Sequence, residues 1–390
     1  MKRVLFVQPS IQPPGGGNGV ASWMLEALKQ ENRLTLLTWV RPRLDEVNRI
    51  FGTRLAPSDF ELRLGPRWVP LLMRMSPTPI DLLTSNILSR ECRRIARDFD
   101  VIISVNNESD LGGRGIQYVH FPKYRRERPT FDLQWFHLAL LVDAYYFVAN
   151  RVTGFSAERM RANLTLVNSD YIGRRFASEH GFVPLTLNPP ALGTFPDTPW
   201  ESREDGFVII GRLSREKRVE HAIEILARVR ERFPSVHLHI AGNVDKPQYA
   251  AEVRRRVAEN SSWVFLHEDL PRAQLNELIS QHRYGIHAME EEHFGMAVAE
   301  LVSGGCIPIV PRSGGAPEIV GADQRVLYSS GDEAVDRSVR ILGDAELRAD
   351  LRRFMAARKP LFSTELFVRR VRKLVREFPT PGPLAGVELG

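Results

Sequence analysis

Cysteine is scarce: the 390 residues hold only Cys92 and Cys306. Two thiols without metal-ligand spacing build neither a disulfide framework nor a structural metal site, so a reducing cytoplasm is expected. No run of about 18 uncharged apolar residues occurs, which excludes a membrane-spanning helix. The opening Met1-Lys-Arg-Val-Leu-Phe-Val7 turns polar at Gln8 and Pro9. That is too short for a signal-peptide core and reads as a first buried strand. Low-complexity tracts and short internal repeats are missing too. What remains is globular in kind, 43% hydrophobic and 26% charged, and long enough for two cores. The net charge of +6 suggests an anionic surface or substrate without identifying it.

One pattern occurs twice. In the first half a strand over 3–8 leads into Pro13-Pro-Gly-Gly-Gly-Asn-Gly19, then a helical run Val20–Leu28 and a strand Leu34–Val40. In the second half Gly206–Ile210 leads into Gly211-Arg-Leu-Ser-Arg-Glu-Lys217, a helix over 218–232 and a strand Val236–Ala241. Alternation of this kind means parallel sheets. The stretch Leu187–Trp200, rich in proline and without period, reads as a linker. The expected fold is α/β, two doubly wound Rossmann-like domains facing across a cleft. The expected spans are 1–195 and 196–360, followed by a C-terminal helix and tail over 361–390 that crosses back to the first domain.

Three segments carry candidate chemistry. Gly15-Gly-Gly17 lets a ligand approach the backbone. It misses the spaced-glycine dinucleotide fingerprint, and an ordinary flexible turn explains it equally well. Arg212 and Lys217 follow a strand at a spacing that lets a fork and a point charge meet one diphosphate. A solvated basic loop is the alternative, since Arg215 and Arg218 lie beside them. Glu292-His-Phe-Gly-Met-Ala-Val-Ala-Glu300 sets two carboxylates around a Phe-Gly pair. It follows the strand-like Tyr284–Met289 and opens a helix from about Gly295 to Ser303. Free amides of Met296 and Ala297 would point at a phosphate there. A phosphate flanked by hydroxyl-accepting carboxylates describes a sugar nucleotide; two acids favouring a helix start describe it more plainly.

Taken together, these residues resemble glycosyltransferase family 4, of the two-domain GT-B type. The marks are Gly15 to Gly17, Gly211-Arg-Leu213 with Lys217, Ala241-Gly242, Glu292 to Glu300, and Gly314-Gly-Ala-Pro-Glu318. Tyr118-Val-His-Phe-Pro122, Leu166-Val-Asn-Ser169 and Asn188-Pro-Pro190 are similar to the α-mannosyltransferases that extend lipid-linked oligosaccharides. The resemblance implies a retaining hexosyltransferase with a nucleotide-sugar donor, GDP-mannose, and a saccharide or lipid-linked acceptor. It implies no metal or other cofactor and no nucleic acid partner.

It also implies roles. Arg212 and Lys217 would hold the diphosphate, and Glu300 the ribose hydroxyls. Glu292 would touch the transferred sugar, with the Phe294, Gly295, Met296 and Ala297 backbone lining sugar and phosphate. Gly16, Gly17, Gly242 and Leu266 would border the donor. His120 would face the sugar from across the cleft, and His293 would tune packing. No third carboxylate is placed as a nucleophile, so a same-face mechanism fits better than a covalent intermediate.

Asp98-Phe99-Asp100 matches the acidic triplet that binds a divalent ion in the other large glycosyltransferase fold, but ends a helix expected over Arg93–Phe99, opens the strand Val101–Ser104, and reads as a turn. Residues 67–75 and 133–147 mix aromatics with aliphatics, and Lys123, Arg125, Arg126 and Arg128 precede the second stretch. Such groups suit an anionic bilayer at the cytoplasmic face, and equally a core helix beside a solvated loop. Three rivals stand: a UDP-sugar-dependent family 4 enzyme, a sugar-nucleotide epimerase, and a binding subunit without activity.

Overall fold

A computed structural model of the chain describes residues 1–13, 15–75, 80–124, 139–244 and 247–379. Their apolar runs form two sheets in which every strand pairing is parallel. The first contains β1 (Arg3–Val7), β2 (Arg33–Thr38), β3 (Phe60–Leu64), β4 (Val101–Ser104), β5 (Ile116–Val119), β6 (Leu164–Val167) and β7 (Leu185–Thr186). Its order is β3-β2-β1-β4-β5-β6-β7. The second contains β8 (Glu204–Ile210), β9 (His237–Gly242), β10 (Val264–Glu268), β11 (His282–Ile286), β12 (Ile307–Pro311) and β13 (Leu327–Tyr328). Its order is β10-β9-β8-β11-β12-β13. Both are doubly wound, reversing direction between β1 and β4 and between β8 and β11, and ligands bind such sheets outside the carboxyl ends at the reversal.

The chain divides into two compact units. One holds Met1–Asn48, Thr53–Leu187 and the residues from Val368; the other holds Arg49–Gly52 and Asn188–Phe367. The division at Leu187 opens the proline-rich stretch. Within the first unit, Lys2 Nζ donates to the carbonyls of Val375, Arg376 and Phe378 at 2.8–3.0 Å. A lysine there satisfies the orphan carbonyls ending the helix Thr364–Glu377. Burial on both faces explains why the central strands read as continuous apolar runs. Val4, Leu5 and Phe6 of β1 and Phe207, Val208 and Ile209 of β8 are all buried.

Two elements differ from expectation. The first helix starts at Gly16 rather than Val20, with Gly15 at φ 123° as its cap. Gly16 and Gly17 are therefore a first helical turn and not a loop. The helix expected over Arg93–Phe99 is the end of a longer one, Asp81–Ile95, followed by a 3-10 turn. Asp100 accepts from the Arg3 backbone at 2.7 Å and the Arg3 guanidinium at 3.2 Å. These bonds hold its carboxyl below the usual range and tie the strand starts together.

Candidate active site

Two loops meet at the carboxyl edge between β8 and β11. After β8 come Gly211, Arg212 and the turn Arg215–Lys217; after β11 comes the run from His287 to Gly295. Lys217 Nζ donates to Glu292 Oε2 at 2.5 Å and lies 3.2 Å from Met289 Sδ. His287 Nε2 lies 3.6 Å from the same carboxylate oxygen. Glycines make the approach possible. A Cβ on Gly242 would lie 2.1 Å from the Gly211 carbonyl oxygen, and one on Gly211 would touch the Lys217 stem. Gly211, Lys217, Ala241 and His287 line a small cavity here.

Burial alone would raise the Glu292 carboxyl, but Lys217, through its charge and its hydrogen bond, together with His287 and His293 outweighs it, and the group is held at about 2. Burial lowers His287 to about 4 against the pull of Glu292. At neutral pH Glu292 is thus a carboxylate and His287 a neutral imidazole.

The Glu292 loop is fixed from behind. The Gly315 amide donates to the Glu292 carbonyl at 2.7 Å, and the Glu291 amide donates to Ser313 Oγ at 3.1 Å. A Cβ on Gly314 would meet Glu292 backbone atoms at 2.5 Å, and one on Gly315 the His293 carbonyl at 2.4 Å. The two most specific segments in the sequence are therefore one interlocked unit. Gly295, at φ 104°, turns the chain into the helix Met296–Ser303, whose first amides have no partner within the helix. The Phe294 ring is buried, 6.0 Å from Phe362, so only its backbone is placed to line a ligand.

Glu300 differs in kind from Glu292. It is 4% exposed, and its Oε1 accepts from Arg272 at 2.8 Å. Burial raises its carboxyl, with Arg272 opposing. Arg272 was invisible to local pattern, since it lies 28 positions away on another helix, Arg272–Ser280. His287 stood inside the apolar run 284–289 with nothing to mark it but its type.

The other basic residues have separate engagements. Arg212 reaches Glu216 at 3.2 Å, Arg215 reaches Glu252 at 3.5 Å, and Arg218 pairs with Glu290. Lys217 is the member of this loop directed at Glu292. Leu266 lies on β10, in register with Ile240, two strands from β8.

In the first unit, His120 follows β5. Its amide donates to Asn107 Oδ1 at 2.7 Å and its carbonyl accepts from Asn168 Nδ2 at 3.1 Å. A Cβ on Gly17 would lie 3.1 Å from His120 Nε2, so the glycine helix start and the imidazole share one spot. The next residue, Ser169, caps the helix Asp170–His180 by accepting from the Ile172 amide. Tyr118 Oη donates to the Leu187 carbonyl at 2.7 Å. The motif pieces around 118, 166 and 187 thus touch one another.

The aromatic stretches are partly outward. Trp68 and Met75 of the helix Trp68–Met75 are 54% and 73% exposed; Phe147 of the helix Ala139–Thr153 is 70% exposed. The Lys123 ammonium is buried and not on the surface. Burial lowers its ammonium to about 8 against the pull of Glu108. Arg125, Arg126, Arg128 and residues 133–138 lie outside the described residues. Among the described residues no helix is long and apolar enough to cross a membrane.

Parts of the chain resemble known proteins. Residues 194–358 match the family Glycosyl transferases group 1. The GDP-Man:Man(3)GlcNAc(2)-PP-Dol alpha-1,2-mannosyltransferase of Dictyostelium discoideum is 27% identical over 184 residues, 40% of this chain and 35% of that protein. Its counterpart in Yarrowia lipolytica is 29% identical over 126 residues, 29% of this chain and 20% of that protein. The chain thus spans well under half the length of these curated relatives. Among solved structures, Anabaena HepE in complex with UDP-glucose superposes with a TM-score of 0.66 at 14% identity, over 97% of this chain and 100% of that one. WaaG, a glycosyltransferase involved in lipopolysaccharide biosynthesis, does so with 0.66 at 15% identity, over 96% and 100%. The chain has the two-sheet GT-B fold that these structures share, and its residues 194–358 match the Glycosyl transferases group 1 model.

Proposed function

We propose that the protein is a retaining glycosyltransferase of family 4 that moves mannose from GDP-mannose to a saccharide or lipid-linked saccharide. The observation that carries the reading is the Lys217–Glu292 pair at the reversal of the second sheet, beside the amide end of Met296–Ser303. An ammonium and helix amides meet charge that grows on a departing diphosphate, usually the largest catalytic term. Lys217 has three donors, of which one is given to Glu292. Arg212, on the same loop, adds a fork for the phosphates, and Gly242 and Leu266 border the base. Glu292, fully ionised, accepts from sugar hydroxyls. Glu300, positioned by Arg272, accepts from the ribose. In the first unit, His120 with Gly16 and Gly17 is assigned to the transfer step.

In the step itself the sugar–phosphate C–O bond breaks while the acceptor oxygen bonds to the anomeric carbon on the same face. The acceptor's proton passes to the leaving phosphate, so no protein nucleophile and no metal is required. A carboxyl held at about 2 is a poor proton abstractor at neutral pH, which favours transfer over epimerisation.

Similarity to the two mannosyltransferases supports mannose, GDP and a lipid-linked acceptor. The exposed Trp68, Leu71, Met75 and Phe147 support peripheral contact with a cytoplasmic membrane face. A second reading, a UDP-sugar donor, is favoured by the likeness to HepE, solved with UDP-glucose. A panel of sugar nucleotides read by thermal shift separates the two. GDP-mannose should raise the melting temperature and UDP-glucose should do little. Stabilisation by UDP-sugars alone overturns the mannosyl assignment, and donor turnover with no acceptor present points to the epimerase.

A further inference from the structure

Four histidines gather on the second sheet, away from the Lys217 edge. His237 and His239 lie on β9, two positions apart and so on one face. His267 lies on β10 and His282 opens β11. The strand between β9 and β11 is β8, and its Gly206 sits opposite His237. A Cβ on Gly206 would be 2.2 Å from His237 Nε2. Glycine there lets the ring lean over β8 toward His282. The ring centroids of His237, His239 and His282 are 4.5–5.4 Å apart. One ring nitrogen from each lies within 4.8 Å of the other two.

The hydrogen bonds around these rings suit ligands. His282 Nδ1 donates to the Leu278 carbonyl at 2.7 Å, which fixes the tautomer and leaves the Nε2 lone pair unprotonated. That Nε2 is buried with no hydrogen-bond partner. His239 Nδ1 is 2.8 Å from His267 Nε2; with His239 donating in that bond, its other nitrogen keeps the lone pair a ligand needs. An imidazole oriented by a carbonyl or second polar group through its far nitrogen is the usual arrangement around a bound metal. Glu204 Oε2 lies 3.2 Å from His237 Nε2 and is largely exposed.

We propose that His237, His239 and His282 bind one divalent transition-metal ion, zinc by preference, with Glu204 supplying the fourth ligand. Tetrahedral zinc holds two nitrogens about 3.4 Å apart at a bond length of roughly 2.1 Å. The rings must close by about an ångström to reach that geometry, a small χ adjustment. Three histidines and a carboxylate match zinc better than magnesium or calcium, which take oxygen. The ion would clasp β9 and β11 across β8, apart from the edge assigned to the donor, and the site does not depend on the glycosyltransferase reading.

The test uses the full chain freed of metal by a chelator and titrated with Zn²⁺ and Co²⁺. One equivalent should bind, with a tetrahedral Co²⁺ absorption spectrum and a higher melting temperature. His237→Gln is the first variant, because its ring is only partly buried and a fold check by circular dichroism can accompany it. H237Q, and H237Q/H239Q together, should abolish the Co²⁺ spectrum. H267Q, removing a positioning residue, should weaken Zn²⁺ by about 10–100-fold. H180Q should change nothing; His180 lies with Glu108 and Glu179 in another cluster. Failure to bind stoichiometric Zn²⁺, or a Co²⁺ spectrum that survives H237Q/H239Q or vanishes in H180Q, overturns the assignment.

Discussion

Both sheets reverse beside their first strand, yet the two reversal edges are furnished differently. In the second unit the edge carries Lys217, Glu292 and His287 in mutual reach. In the first unit the acids after β4 are consumed by the scaffold. Asp110 pairs with Arg93 at 3.2 Å and Arg159 at 2.6 Å. Glu108 accepts from the Lys123 amide at 2.9 Å and meets His180 at 3.2 Å. What is left there is amide and imidazole chemistry, with Asn107 and Asn168 holding His120. Among the described residues, the same topology therefore supports one edge built on a lysine–glutamate pair and one built on amides and an imidazole, and the loops decide which.

The contrast can be broken most directly on its charged side. Arg212→Ala with Lys217→Ala should cut transfer by a factor of about 100 or more; because losing Lys217 leaves the largely buried Glu292 carboxylate without its ammonium, the melting temperature should fall as well, and circular dichroism checks that the fold persists. Undiminished turnover in that double variant would remove the phosphate site from this edge. On the amide and imidazole side, His120→Ala should lower kcat by roughly tenfold, well below the range for general acid–base groups, with donor affinity unchanged. A loss confined to donor affinity would assign His120 to binding instead.

Glu300 sharpens the comparison of acids. Breaking a buried pair leaves Arg272 uncompensated, so Glu300→Ala should destabilise by about 3 kcal/mol and weaken bare nucleoside diphosphate as well. Glu292→Gln should leave bare nucleotide affinity nearly intact. Equal weakening in the two variants would erase the division between ribose and sugar roles.

A fourth outcome concerns pH. His287 is lowered to about 4 in the fold from an ordinary 6.5. Between those values the unfolded chain binds the extra proton, so stability rises with pH and is lost on descending from 6.5 to 4. His287→Phe should flatten part of that fall, a difference on the order of 3 kcal/mol at most, read from chemical unfolding at pH 7 and 4.5. An unchanged slope would move the effect to His239. The smallest effect is at the membrane. Anionic vesicles should pellet the protein at low salt and release it at high salt, and Trp68→Ala with Phe147→Ala should reduce pelleting.

Period and motif were enough for most of this. The apolar strands, the reversal loops and the 292–300 segment all read directly from the sequence, because parallel βα units impose local pattern. Three things did not. The start of the first helix at Gly16 went unseen because glycine signals turns more strongly than helices. The Arg272–Glu300 pair joins separate helices and leaves no local trace. Lys123 looked like surface charge because burial depends on what packs over a residue from elsewhere.

The seating of Gly314 and Gly315 against the Glu292 loop has a consequence for engineering. The carboxylate that would read the sugar is aimed by a loop some twenty residues downstream. Grafting residues 287–300 from another enzyme would therefore transplant a pointer without its mount. A chimera that exchanges sugar preference must carry the 313–318 segment with it.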